Sequence, residues 1–276
     1  MKNKYLDKAL SAIVGIFILI ALFPIALFGL LIVEFQHLSW LLMAAGPVFS
    51  IFIYLLIALE SLVLLWITIG IVRSLFKQKQ SIDTLFSHLL GRLEPLESPL
   101  VPNWNSKIKW FLSKDNDAYA FSTGTSSPSV VVSQGLWDAL DDEQRKAVLY
   151  HEYYHLQSKD GIKQKLMQAL SEAIPVSQLR FLQKHYSTLT EIRADANSIE
   201  AMKGDRFSLG GAMLAAYNVH LDAVSNWSDS LDERIEFLSR GKIPKQKLGL
   251  WIKVGVSPTV ALVFLIAQGV ALWCHY

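Results

Sequence analysis

The chain is poor in cysteine: Cys274 is the only one in 276 residues. An intramolecular disulfide and any cysteine-based zinc site are thereby excluded. Cys274 falls in the last turn of an apolar run, an ordinary place for a small buried thiol. Net charge is also scarce. Lys and Arg total 26 against 24 Asp and Glu, a balance of +2 that indicates no nucleic-acid partner. Charge of either sign is missing from long stretches at the two ends. These account for the 52% hydrophobic content and the positive mean hydropathy of +0.31, both above the range of soluble globular proteins. The middle of the chain has the mixed polarity of a water-soluble domain.

Residues 9–33 contain no charged side chain, enough to cross a bilayer core as a helix. Residues 38–72 form a second apolar stretch interrupted only by Glu60, and Gly46-Pro47 divides it into a short interfacial piece and one spanning helix. Residues 254–274 form a third candidate, with Pro258 near its start. Lys2, Lys4 and Lys8 resemble the basic start of a signal peptide. The first apolar run exceeds a typical signal core and a second span follows at once, so a retained helix is expected. Lys and Arg also set the orientation. They flank the spans at Lys2 to Lys8, at Arg73, Lys77 and Lys79, and at Arg240, Lys242, Lys245, Lys247 and Lys253, whereas the loop around Glu34, Gln36 and His37 has none. The middle domain should face the cytoplasm, with that loop and Tyr276 outside. Glu60 lies near the middle of the second span and should face protein or water, either as a functional acid or as a protonated or helix-paired structural one.

The expected organisation is a transmembrane hairpin at 1–76, a cytoplasmic domain at 77–246 and a C-terminal transmembrane helix at 247–276. The fold class is a mainly α membrane protein carrying an α+β domain, with a small hairpin or sheet before its central helix. Residues 107–112 alternate weakly as a strand. Residues 118–121 and 130–133 read as two strands joined by the turn-rich 122–129. A helix should then begin at the N-cap Asp141, with Asp142 and Glu143 in its first turn, and end near Asp160-Gly161.

That helix carries His151-Glu152-Tyr153-Tyr154-His155. Residues four apart share a helix face, so the two imidazoles can reach one zinc ion. Glu152, offset by one position, lies beside the metal, where it can take a proton from water and return it to a leaving amine. Composition alone produces this pattern in roughly one chain in a hundred of this length, so a purely structural helix competes. A zinc site needs a third protein ligand. The helical stretch 176–202 supplies one in Glu191-Ile-Arg-Ala-Asp195: Glu191 completes a His, His, Glu set. Asp195, one turn on, can accept from a ligating histidine and fix its tautomer. Ordinary surface acids are the competing interpretation, but the two motifs together are much rarer than either alone.

Together these motifs resemble the gluzincin-type integral membrane zinc metallopeptidases, in particular the BlaR/MecR-type antirepressor peptidases and, more distantly, the HtpX and CAAX prenyl protease group. The resemblance spans about residues 117–238. Asp117-Ala-Tyr-Ala-Phe-Ser-Thr-Gly124 is similar to the strand that pairs with substrate in those families. Residues 130–136 and 141–152 are similar to the lead-in to the zinc motif, and Glu191 to Ala196 to the third-ligand helix. Leu231 to Leu238 resembles a segment whose arginine, here Arg234, often lines the site. Asp160 resembles an acid that follows the zinc helix, and also suits a simple helix end. Ser228 and Asp229 stand where a His-Pro pair is common in the prenyl protease group, so no oxyanion histidine carries over there. The charged interval with Lys163, Lys165, Glu172, Arg180 and Lys184 does not suit the extra spans of HtpX-type chains. A lone C-terminal span fits the BlaR/MecR type, but no penicillin-binding sensor domain follows it, so the resemblance does not extend to a β-lactam receptor.

The resemblance implies a zinc endopeptidase with one ion per chain, acting on a cytoplasmic or juxtamembrane protein or peptide substrate that adds as a strand along residues 117–122. It also implies a multi-pass cell-membrane location. Arg234 is the first candidate for a donor to the developing oxyanion, against a structural arginine; Tyr217 and His220 are weaker ones, and His185 and Tyr186 more simply structural. Regulatory proteolysis, membrane-protein quality control and a non-catalytic zinc-containing scaffold are three competing roles. Structure alone would not need Glu152. Neither substrate, activating signal nor oligomeric state can be read from these residues.

Overall fold

The computed structural model describes residues 4–19, 47–89, 91–97, 107–124, 127–174, 177–219 and 230–241, with isolated positions between 22 and 29 and at 100 and 243. The loop around Glu34, the third apolar stretch with Cys274, His220, Ser228 and Asp229 lie outside the described residues, as do the side chain of Glu60 and most of the first apolar stretch beyond residue 19. The chain divides into two units, Met1–Lys242 and Ile243–Tyr276, and every described helix and strand belongs to the first.

Residues 4–19 form helix α1, whose Leu6, Leu10, Ile13 and Phe17 are buried at four- and three-residue spacing, one stripe of a helix. Helix α2 runs unbroken over Pro47–Leu89. The expected end of the span near residue 72 is not the end of the helix, which continues through Arg73, Lys77 and Lys79, because charged side chains with good helix propensity limit a span without ending a helix. Among the described residues one segment, Ser61–Thr84, is long and apolar enough to cross a membrane, and almost none of it is buried.

Among the described residues four strands come after the long helix: β1 (Leu93–Pro95), β2 (Lys109–Ser113), β3 (Ala120–Thr123) and β4 (Ser129–Ser133). They form one sheet in the order β1-β2-β4-β3. The expected β3–β4 hairpin is present and antiparallel, and β2 pairs parallel to β4. Strand β4 is central and wholly buried, with Val130, Val131 and Val132 at most 1% exposed. Burying each valine is worth about 1.5–3 kcal/mol. Strand β3 is an edge strand.

Ser133 ends β4 and caps the short helix α3 (Gln134–Ala139) by accepting from the Leu136 amide. Helix α4 (Asp142–Ser158) opens with a full capping box: Asp141 accepts from the Gln144 amide and Gln144 from the Asp141 amide. The core joins Val130 and Val132 to Trp110, Leu136, Val148, Leu149, Ala212 and Ala216, so one sheet face is packed against α3, α4 and the later helix that carries Ala212 and Ala216. Helix α4 ends at Ser158, near Asp160-Gly161 as expected, and its cap is Lys159, which takes the left-handed conformation (φ 54°) that a glycine usually supplies. Asp160 is already the first residue of α5 (Asp160–Ala173). Helices α6 (Ser177–Ala201), α7 (Phe207–Val219) and α8 (Leu231–Arg240) complete the unit. Helix α6 packs on α4, fastened by Ser198 donating to the Ala147 carbonyl (2.7 Å), and α8 packs on α6.

Candidate metal centre

Helix α4 delivers His151 and His155 from adjacent turns, and α6 delivers Glu191 across from them. The His151 and His155 Nε2 atoms are 3.0 Å apart. Glu191 reaches the first with Oε2 at 3.3 Å and the second with Oε1 at 3.5 Å. One ligand atom from each of the three residues lies within 4.8 Å of the others, a cluster that could hold a metal ion. The His151-Glu152-x-x-His155 pattern and the later Glu191 are therefore brought together.

The donor chemistry fits a cation at that point. Each imidazole has its other nitrogen against a carboxylate: His151 Nδ1 lies 2.9 Å from Asp195 Oδ1, and His155 Nδ1 3.2 Å from Asp160 Oδ2. A proton on Nδ1 leaves the Nε2 lone pair aimed at the shared point. Formal charge points the same way: acids outnumber the arginines Arg193 and Arg234 around this point, an excess that suits a cation.

Titration obeys the same field. Burial alone would depress both imidazoles. The Asp195 and Glu191 carboxylates instead raise His151, and Glu191 with Asp160 raises His155 well above the usual value. Burial would raise Glu191, but His155, His151 and Arg234 hold it well below the carboxylate range. Asp195, fully buried, is likewise lowered by Arg234 and His151 despite its burial.

Arg234 is 1% exposed and is no surface arginine. Its Nε and Nη2 donate to the two Asp195 oxygens at 2.8 and 2.7 Å, and Nη1 lies 3.3 Å from Glu191 Oε2. The guanidinium fork thus holds both acids of the α6 motif. Glu152 is buried beside the ligands, and its charge is felt at His155 and Arg234.

The remaining candidates are dispersed. Tyr217 is exposed on α7. His185 is buried and stacked on Phe181, with burial lowering its pKa. Tyr186 is buried near Asp160, and burial followed by that charge pushes its phenol up to about 12. Two residues escape sequence reasoning. Arg193 lies inside the α6 motif, and its place on a helix already known to face the site is the signal that could find it. Asp7, which pairs with Arg193, has no such signal.

No curated protein matches the chain. The model of Peptidase family M48 matches residues 77–179, a stretch that includes the sheet and α4 and stops before Glu191, Asp195 and Arg234. Over that segment, which bears His151, Glu152 and His155, the chain is similar to Peptidase family M48.

Proposed function

We propose that the protein is a membrane-anchored zinc endopeptidase that cuts protein segments in the cytoplasm or at the membrane junction, and that its cleavages are regulatory. The observation carrying this reading is the convergence of His151, His155 and Glu191 with Glu152 adjacent. These three residues would hold the zinc ion. When bound, zinc would polarise a scissile carbonyl and acidify water.

The chain's own groups do the rest. Glu152 removes a proton from water and returns it to the leaving amine. Asp195 and Asp160 keep the two imidazoles in the tautomer that presents Nε2. We assign Arg234 to holding Asp195 and Glu191 in place, since three of its nitrogens already face their carboxylates. Strand β3 pairs with β4 on one side and packs on α4, so residues 117–122 offer an edge on which a substrate backbone can add beside the ligands.

Anchoring rests on Ser61–Thr84, whose Leu62, Leu65 and Trp66 are exposed, as lipid-facing side chains are. The further spans at residues 9–33 and 254–274, and a cytoplasmic domain, rest on the lysine and arginine distribution. The resemblance of residues 117–238 to the BlaR/MecR-type antirepressor peptidases favours a signalling role.

The test is substrate trapping with Glu152→Gln. That variant should keep its zinc and lose cleavage by about 10²–10⁴-fold, while accumulating an uncut protein. One stabilised protein across the proteome supports regulation; many indicate membrane-protein quality control. A Glu152→Gln chain that complements a deletion, alongside a wild type that cuts nothing, would establish a scaffold instead.

A further inference from the structure

We propose that α1 is a positioning element of the metal centre: Asp7 holds Arg193, Arg193 holds Asp160, and Asp160 holds His155. The inference rests on reading His155 as a metal ligand. Arg193 Nη1 lies 3.3 Å from Asp7 Oδ1, and Nη2 lies 2.5 Å from Asp160 Oδ1. The other oxygen of Asp160 faces His155 Nδ1 at 3.2 Å. Each Asp160 oxygen thus has one partner. The guanidinium sets the plane of the carboxylate, and that plane sets the tilt of the His155 ring.

Burial grades along this line. The Asp7 side chain is 58% exposed, Arg193 10% and Asp160 3%. An arginine between two carboxylates could be a mere fastener between helices. Here the inner carboxylate is shared with a metal-binding imidazole, so a shift of the arginine is transmitted to a donor atom rather than absorbed. Asp7 follows Leu6 but is exposed, off the buried stripe of α1. Removing its charge leaves Leu6, Leu10, Ile13 and Phe17 to keep the helix docked. A substitution at Asp7 therefore tests the ionic link and not the presence of the helix.

The experiment uses the full chain in detergent micelles, with zinc affinity read by chelator competition and ligand geometry by the absorption of the cobalt(II)-substituted site. Arg193→Met should weaken zinc about 10-fold or more and shift the cobalt bands. Asp7→Asn should weaken it about 3-fold, and Asp7→Glu should restore it. Melting of the metal-free chain reports whether each variant is folded; if Arg193→Met is not, Arg193→Lys, which keeps charge without the fork, takes its place. Wild-type affinity and cobalt spectra in the Arg193 and Asp7 variants, with zinc lost in His155→Ala, would overturn the inference and leave the metal centre standing. Full zinc binding by His155→Ala would instead remove the metal reading itself.

Discussion

At the residue scale, the site depends on buried charges that neutralise one another. Asp195 is fully buried, and Arg234 grips both its oxygens. Arg234→Ala should cost about 3–5 kcal/mol, because it strands a carboxylate in the interior. Arg234→Lys should recover only part of this, lacking the planar fork. Thermal unfolding of the two variants against wild type checks the order. Asp195→Asn should raise the zinc dissociation constant about 10–100-fold, read by chelator competition. Alkaline behaviour provides a further check. Burial, with help from Asp115, pushes the Tyr119 phenol from 10.0 up to about 12, while its hydroxyl bridges Ser113 and Asp115. The folded state therefore keeps a proton that the unfolded chain releases. This stability is intact below pH 10 and declines as pH rises towards 12. Tyr119→Phe should flatten that decline in an alkaline unfolding series. The pairing of His151 and His155 was legible because an i, i+4 spacing is local. The partners of Arg234 were not, since no local pattern tells a buried fork from a surface charge 39 residues from its acid.

At the element scale, α2 and α5 cross with little clearance. A Cβ on Gly70 would fall 2.9 Å from the Ala173 Cβ and 3.1 Å from its Cα, and one turn on Ser74 donates to Glu172 at 2.6 Å. Gly70→Val should destabilise the unit by about 1–3 kcal/mol through overpacking. Gly161→Ala in α5, where a Cβ meets nothing within 4 Å, should stabilise it by about 0.5–1 kcal/mol. Opposite shifts in melting temperature for the two substitutions would confirm a tight crossing; equal shifts would refute it. The N-cap at Asp141, the β3–β4 hairpin and the run of α6 were readable from adjacent residues. Strand β1 was not, being three residues long and ending in Pro95. The parallel β2–β4 pairing depends on contacts between segments 20 residues apart in sequence, on which alternation is silent.

At the scale of the whole molecule, the long helix α2 exposes an apolar surface, while the candidate metal cluster lies between α4 and α6. The apolar exposure of Leu62 and Ile69 on α2 has no use in water. The protein should stay with the bilayer through an alkaline carbonate wash. Leu62→Lys combined with Ile69→Lys should release a large share of it, since each lysine near the middle of a span costs about 2.5–3.5 kcal/mol. Recovery of the double variant in the membrane pellet at the wild-type level would count against anchoring by α2. The apolar runs were visible in composition alone, and among the described residues one of them lies on a helix long and apolar enough to cross a membrane. The link between Asp7 and Arg193 could not be announced, because 186 residues separate the two and each is ordinary in its own neighbourhood.

The corner at Lys159 has a last consequence. Two helices meet there through one left-handed residue, and the acid that steadies His155 opens the second of them. Such a corner looks like a loop yet has no slack. Adding a single residue after Ser158 would turn everything downstream by roughly 100° about the helix axis and carry the Asp160 carboxylate away from the ring. Natural variation in length should therefore stop short of this joint, even where the surrounding surface tolerates it freely.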